Sequence, residues 1–213
     1  MRNTLEWRKA FQVDELLQSI QGENGNSEFA EQLRKEAATC KLYVRGYDSE
    51  GRALLYMRPS DENTQNETGN LRNLVYHLEK AIACSNRKGN MDKVGIVIDY
   101  KGYSLRNAPP MSTSRKTLDI LQNHYPERLH KAYICNPPFV FRTFWAFIKP
   151  FIDPVTKQKI LFCVGKAGMA QIAKDVGPEN AKKLEKCAGG KGKVRPCVAT
   201  EYMNLPFNVA FDE

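Results

Sequence analysis

From about residue 70 the chain alternates helical and strand-like apolar patterns, and this alternation limits the possible folds more than any other feature. A helical stripe over Asn70–Asn86 (Leu71, Leu74, Val75, Leu78 and Ile82) precedes an apolar run at Lys93–Asp99. A helical pattern from about Ser112 to Tyr125, stopped by Pro126, precedes a run at Lys131–Cys135. A third helix over about Phe139–Ile152 precedes Lys159–Gly165, and a short helix follows at about Ala167–Asp175. Strands separated by crossover helices pair in parallel, so an α/β layer with a mostly parallel sheet is expected. Upstream, Cys40–Gly46 and Ala53–Arg58, joined by Tyr-Asp-Ser-Glu-Gly-Arg, read as an antiparallel hairpin. Thr4–Ile20 and residues 28–38 read as helices broken by Gly-Glu-Asn-Gly-Asn, and no internal repeat is visible.

The helix over Phe139–Ile152 departs from the pattern of the others. Ten of its fourteen residues are apolar, so it needs apolar neighbours on more than one side. Complete burial satisfies that need; so does a helix with one face on an apolar cavity and another that meets a membrane. Phe144, Phe147, Ile148 and Phe151 are spaced to share a face and are expected to close the cavity. Trp145 and Ile152 form a second face, expected to touch membrane, although sequence leaves the helix's rotation open and the faces are exchangeable. Pro150 removes a backbone donor and favours a bend there.

Charge and composition exclude several classes of function. The 42% hydrophobic share supports a core. No apolar run is long enough to span a bilayer, and no signal peptide is recognisable, so a cytoplasmic protein is expected. Six cysteines without paired spacing read as free thiols, and with three histidines they form no metal-ligand pattern, so no metal is expected. The net charge of +8 is concentrated after residue 85. Its densest run is Lys182, Lys183, Lys186, Lys191, Lys193 and Arg195, opposed only by Glu185; it suits a polyanionic surface, or is a solvated tail. Aromatic and basic residues do not interleave as nucleic-acid recognition requires, so nucleic acid is not an expected partner.

Enzyme signatures fail. No Gly-x-Ser-x-Gly elbow occurs, and Gly189-Gly190-Lys191-Gly192-Lys193 lacks the glycine, the hydroxyl residue and the preceding strand of a phosphate loop. His124 and His130 read as structural, and Asp99, closing a strand, reads as a turn-fixing carboxylate. No catalytic residue is assigned.

Three ordered stretches carry a resemblance: His124-Tyr125-Pro126-Glu127-Arg128-Leu129, Ile134-Cys135-Asn136-Pro137-Pro138-Phe139, and Ile148-Lys149-Pro150-Phe151-Ile152-Asp153-Pro154-Val155-Thr156-Lys157. With Asp99-Tyr100-Lys101-Gly102-Tyr103-Ser104 and the start Asn3–Asp14, they resemble the CRAL-TRIO lipid-binding family, on the side of the fungal and plant phosphatidylinositol/phosphatidylcholine transfer proteins. The likeness covers about residues 1–190, with Pro137 standing where the family usually has alanine. It implies a partial N-terminal helical region over 1–38, a lipid-binding domain over 39–193, and a tail at 194–213 that it does not assign.

The resemblance further implies a sheet flooring an apolar cavity that holds one phospholipid, behind a mobile gate at about Phe139–Lys157. It implies phosphate contacts from Arg8 and Lys9, and hydroxyl contacts to a phosphocholine from Ser112, Thr113 and Ser114, with Ser112 alternatively an N-cap. Lys174 is a further headgroup candidate. The expected activity is exchange of phosphatidylinositol, and of phosphatidylcholine, at membrane surfaces, without covalent chemistry or cofactor. The rivals are a headless ligand (sterol, tocopherol or retinoid) and a regulatory module with a vestigial pocket. The expected partners are the lipid and a transient membrane surface, for a monomer in the cytoplasm.

Overall fold

The computed structural model describes residues 2–21, 27–104, 106, 108–178, 180–181 and 197–211. Five strands form one sheet in chain order: β1 (Leu42–Tyr47), β2 (Ala53–Met57), β3 (Val94–Asp99), β4 (Leu129–Cys135) and β5 (Ile160–Cys163). β1 and β2 are the antiparallel hairpin, turned by Asp48, whose carboxylate accepts from the backbone N–H groups of Glu50 and Arg52, both at 2.9 Å. The three remaining pairings are parallel. Each parallel step is spanned by helix: α4 (Glu67–Gly89) between β2 and β3, α5 (Met111–Asp119) between β3 and β4, and α6 (Phe141–Ile148) with α7 (Pro154–Gln158) between β4 and β5.

The amino end differs from one continuous helix. α1 (Arg2–Phe11) and α2 (Val13–Gln21) meet at Gln12, which takes a left-handed φ of 58°. The break lets the two segments serve different neighbours. Val13 and Leu16 of α2 enter the main core with Leu33 and Ala37 of α3 (Glu28–Ala37). Trp7 of α1 instead stacks on His124, ring centres 4.1 Å apart.

Side chains alternate across a strand, so the register assigns each face. Ile96 pairs with Ala132 and Ile98 with Ile134, while Ala132 pairs with Ile160; these point to one side. Lys131 and Tyr133 point to the other, where both reach Asp175 of α8 (Gly165–Val176), at 2.6 and 3.2 Å. The described part of the carboxyl end covers β1. Tyr202 of α9 (Ala199–Met203) is buried, its hydroxyl accepting from the Val44 N–H at 3.0 Å, and Phe211 bridges in parallel to Arg45. Thus residues on both sides of the sheet domain, including Tyr202 and Phe211, share its core. Among the described residues no helix is long and apolar enough to cross a membrane.

Candidate functional site

A cavity of about 280 Å³ lies on the Ile96 side of the sheet. Its floor is Leu42, Met57, Ile96, Ile98, Ala132, Ile134 and Ile160, the β-branched and aliphatic residues that the strand period turns to this face. One wall is α5 and the following π-helical turn (Ile120–His124), through Ser114, Thr117, Leu118 and Leu121. Opposite the floor lies α6, contributing Phe141, Phe144, Trp145 and Ile148, with Ile152 beyond it.

The structure sets the rotation of α6, which the sequence leaves open, and it keeps neither of the two sequence-derived faces whole. Phe144 and Ile148 line the cavity together with Trp145 and Ile152. Phe147 and Phe151 turn outward instead, 38% and 47% exposed, beside Phe139 at 80% and Val155 at 55%. Pro150 explains half of the difference. α6 ends at Ile148 and the chain tightens into a 3-10 turn over Lys149–Phe151, so the α-helical spacing of Phe151 and Ile152 does not continue. Packing explains the rest: Trp145 sets its ring edge-on to Phe162 at 5.1 Å and stacks with Phe141 at 6.2 Å.

At one end the lining becomes charged. Lys41, almost wholly buried, donates to carboxylate oxygens of Glu36 and Glu62, the latter at 2.9 Å. Burial pushes the Glu62 carboxyl up, but backbone N–H groups of Thr64 and Gln65 together with Lys41 hold it down at about 2. Gly69 of α4 permits this arrangement, because a Cβ there would collide with Glu36 Oε1. Arg58, also at this end, pairs with Asp61 at 3.0 Å. Sequence reading missed this cluster, whose members are scattered over residues 36–64. Tyr100 and Tyr103 also line the cavity, and burial raises the pKa of both.

The other expected site residues lie as follows. Arg8 is not in the lining: its guanidinium bonds Glu79, with Asp14 at 3.7 Å, and Tyr125 donates to the same Glu79 at 2.7 Å. Lys9 is exposed on α1. Ser114 lines the cavity, whereas Ser112 and Thr113 bond Glu67 at 3.2 and 3.0 Å. Ser112 is not the N-cap of α5; Pro110 holds that position. Lys174 is exposed on α8. Lys182, Lys183, Lys186, Lys191, Lys193 and Arg195 lie outside the described residues. Asp99 does fix its turn, accepting from the Lys101 N–H at 3.0 Å and from Asn136 at 2.9 Å.

A family model described as the CRAL/TRIO domain matches residues 37–190, the span from the end of α3 to beyond α8. The chain belongs to the CRAL/TRIO domain family. Its relatives include the phosphatidylinositol transfer protein PDR17 of Saccharomyces cerevisiae, 35% identical over 62% of this chain and 39% of that protein. The SEC14 cytosolic factor of Kluyveromyces lactis is 31% identical over 95% of this chain and 67% of its own length. A CRAL-TRIO domain-containing protein of Schizosaccharomyces pombe is 34% identical, and this chain spans only 14% of it. The crystal structure of Sfh5 shares the fold with a TM-score of 0.59 at 21% identity, over 76% of this chain and 58% of that one. Its CRAL/TRIO membership agrees with the α/β architecture and mostly parallel sheet expected from the sequence.

Proposed function

We propose that this CRAL/TRIO domain binds one phospholipid in the cavity and exchanges phosphatidylinositol, alternating with phosphatidylcholine, at membrane surfaces. The observation that carries the reading is the apolar cavity roofed by α6, which with its flanking residues also exposes the rings of Phe139, Phe147 and Phe151. A segment apolar on both sides suits a gate that closes over acyl chains in solution and enters a bilayer when it opens. Chains leave the bilayer at little net cost, because each methylene, worth about 0.8 kcal/mol, is buried in both places. Headgroup contacts then decide which lipid is held.

For the headgroup the proposal assigns the hydroxyls of Ser114, Thr117 and Tyr103, which line the cavity. Arg8 and Lys9 are proposed as outer phosphate contacts, and for Arg8 this requires that Glu79 release its guanidinium. The basic run Lys182–Arg195 is proposed to meet anionic membrane. PDR17's name supports phosphatidylinositol as the first ligand to try.

A phosphate-free ligand is the second reading. It is favoured by the charged end of the cavity, where Lys41 already pairs with Glu36 and Glu62, and Arg58 with Asp61. Mass spectrometry and phosphorus analysis of lipid extracted from the purified protein separate the two. Phosphatidylinositol in the extract, and its transfer between vesicles, is the expected result. A phosphorus-free hydrophobe selects the second reading, and a cavity still empty after incubation with vesicles overturns both.

A further inference from the structure

Two exposed arginines lie over the outward aromatic rings of the segment that roofs the cavity. The Arg115 guanidinium, on α5, sits 4.8 Å from the ring centre of Phe147 and 4.7 Å from that of Phe151. Arg142 lies over Phe139 at 5.3 Å. Lys116, next to Arg115, is taken by Glu67; among the described residues no carboxylate pairs with Arg115 or Arg142. Among the described residues, ring faces are what their charge meets.

Arg115 spans the place where α6 gives way to its 3-10 turn. It thereby ties α5 to both parts of the roof. Gln122 fastens the same end through the backbone: its Nε2 donates to the Phe151 carbonyl at 3.0 Å, and its Oε1 accepts from the Asp153 N–H at 2.9 Å. Between residues 139 and 159 the charges are Arg142, Lys149, Lys157 and Lys159 against Asp153 alone. That one carboxylate is engaged in capping α7, accepting from the Thr156 N–H at 2.9 Å. Lys159 is paired with Glu127 at 3.4 Å, so Arg142, Lys149 and Lys157 make the outward surface cationic as well as aromatic.

We propose that Arg115 latches the roof shut in solution and is the group through which an anionic bilayer releases it. A guanidinium is weakly hydrated and planar, so it stacks on rings yet also binds a phosphate with two parallel hydrogen bonds. At an anionic surface it exchanges Phe147 and Phe151 for a lipid phosphate, and both rings become free to enter the interface. The bilayer fits better than a soluble phosphorylated partner, because Phe139, Phe147, Phe151 and Val155 need an apolar phase beside the phosphates. The proposal rests on the lipid-cavity reading above.

Arg115→Gln tests it by moving two readouts in opposite directions. Hydrogen exchange over residues 139–152, measured without vesicles, should quicken several-fold as the latch is lost. Preference for phosphatidylcholine vesicles containing phosphatidylserine over pure phosphatidylcholine vesicles should fall about fivefold, the share of one basic residue at such a surface. Arg115→Lys should recover the vesicle preference while leaving exchange fast, since a point charge restores attraction without the planar stack. Unchanged exchange in Arg115→Gln overturns the latch, and unchanged vesicle preference overturns the trigger. Inorganic phosphate that quickens wild-type exchange as much as anionic vesicles overturns the commitment to a bilayer. Extracted lipid is read in parallel: its absence defeats the cavity reading, whereas a lipid-loaded protein indifferent to Arg115→Gln defeats the latch alone.

Discussion

Trp145 and Phe147 are two residues apart, and opposite consequences are expected when each becomes aspartate. Trp145 lines the cavity and contacts Phe141 and Phe162, while Phe147 is 38% exposed and meets Phe151 at 5.9 Å. Truncating a fully buried tryptophan costs about 3–5 kcal/mol, so the half-buried Trp145 is worth roughly 2–3 kcal/mol. A carboxyl group turned toward the apolar lining adds about 1 kcal/mol or more of desolvation. Trp145→Asp should therefore lose roughly 3–4 kcal/mol, a large share of the stability of a domain this size. Phe147→Asp forfeits a ring contact with Arg115 but offers that arginine a carboxylate, so its net cost should stay below about 1 kcal/mol. Urea unfolding measures both costs, and mass spectrometry of co-purified lipid measures occupancy. Trp145→Asp should lose stability and lipid together; Phe147→Asp should keep both yet transfer lipid between vesicles more slowly. Equal losses in the two variants, or loss of lipid from Phe147→Asp alone, would refute the assignment of inner and outer faces.

Arg8→Ala should lower the urea midpoint by an amount equivalent to about 1–2 kcal/mol, since among the described residues it leaves Glu79 only its bond from Tyr125. If phosphatidylinositol transfer, corrected for stability, is unaffected in that variant and in Lys9→Ala, neither side chain reads the headgroup. His77 is buried and held near a pKa of about 3, chiefly by desolvation. Its folded pKa lies below the unfolded value, so stability is complete above pH ~6.5 and falls by up to about 1.4 kcal/mol per pH unit on acidification. His77→Phe should flatten that slope between pH 6 and 4 in denaturant titrations, and an unchanged slope would remove His77 as its source. Glutamine at Lys182, Lys183, Lys186, Lys191, Lys193 and Arg195 should weaken flotation with anionic vesicles and reduce its sensitivity to salt between about 0.05 and 0.5 M. Equal flotation with neutral and anionic vesicles would sink that role.

The parallel sheet was legible because its strands are short apolar runs separated by helical spacing, a signal local to each element. The break at Gln12 was not, since nothing in Thr4–Ile20 interrupts helical periodicity. What splits the helix is tertiary: Trp7 and Val13 serve different neighbours, and the left-handed turn reconciles them. The same limit applies to residues 194–213. Their sequence shows no strong period, yet Tyr202 and Phe211 bury themselves against β1, a partner more than 150 residues away. The charged end of the cavity was invisible for a similar reason, because Glu36, Lys41 and Glu62 meet only after the hairpin and α4 are in place.

The roof segment shows where periodicity stops being informative. A helix apolar on most sides presents several acceptable stripes, and hydrophobicity alone does not rank them. Here the choice is made by shape at either end. Asp99 holds Asn136, which has a φ of 50°, so the strand-to-helix turn delivers Phe141 against Tyr100, ring centres 4.6 Å apart. Pro150 and Gln122 fix the other end, turning Ile152 inward while Phe151 is left outside. With both ends set, Phe144, Trp145 and Ile148 have to face the floor. Phe147 and Phe151 are then exposed by geometry rather than by any weakness of hydrophobicity, and Arg115 is placed over the two rings that the cavity does not use. The residues that tie the roof down are thus polar or basic, while those that fill the cavity are apolar. Mutations in the first group should alter how readily the roof moves, and mutations in the second should alter what it encloses.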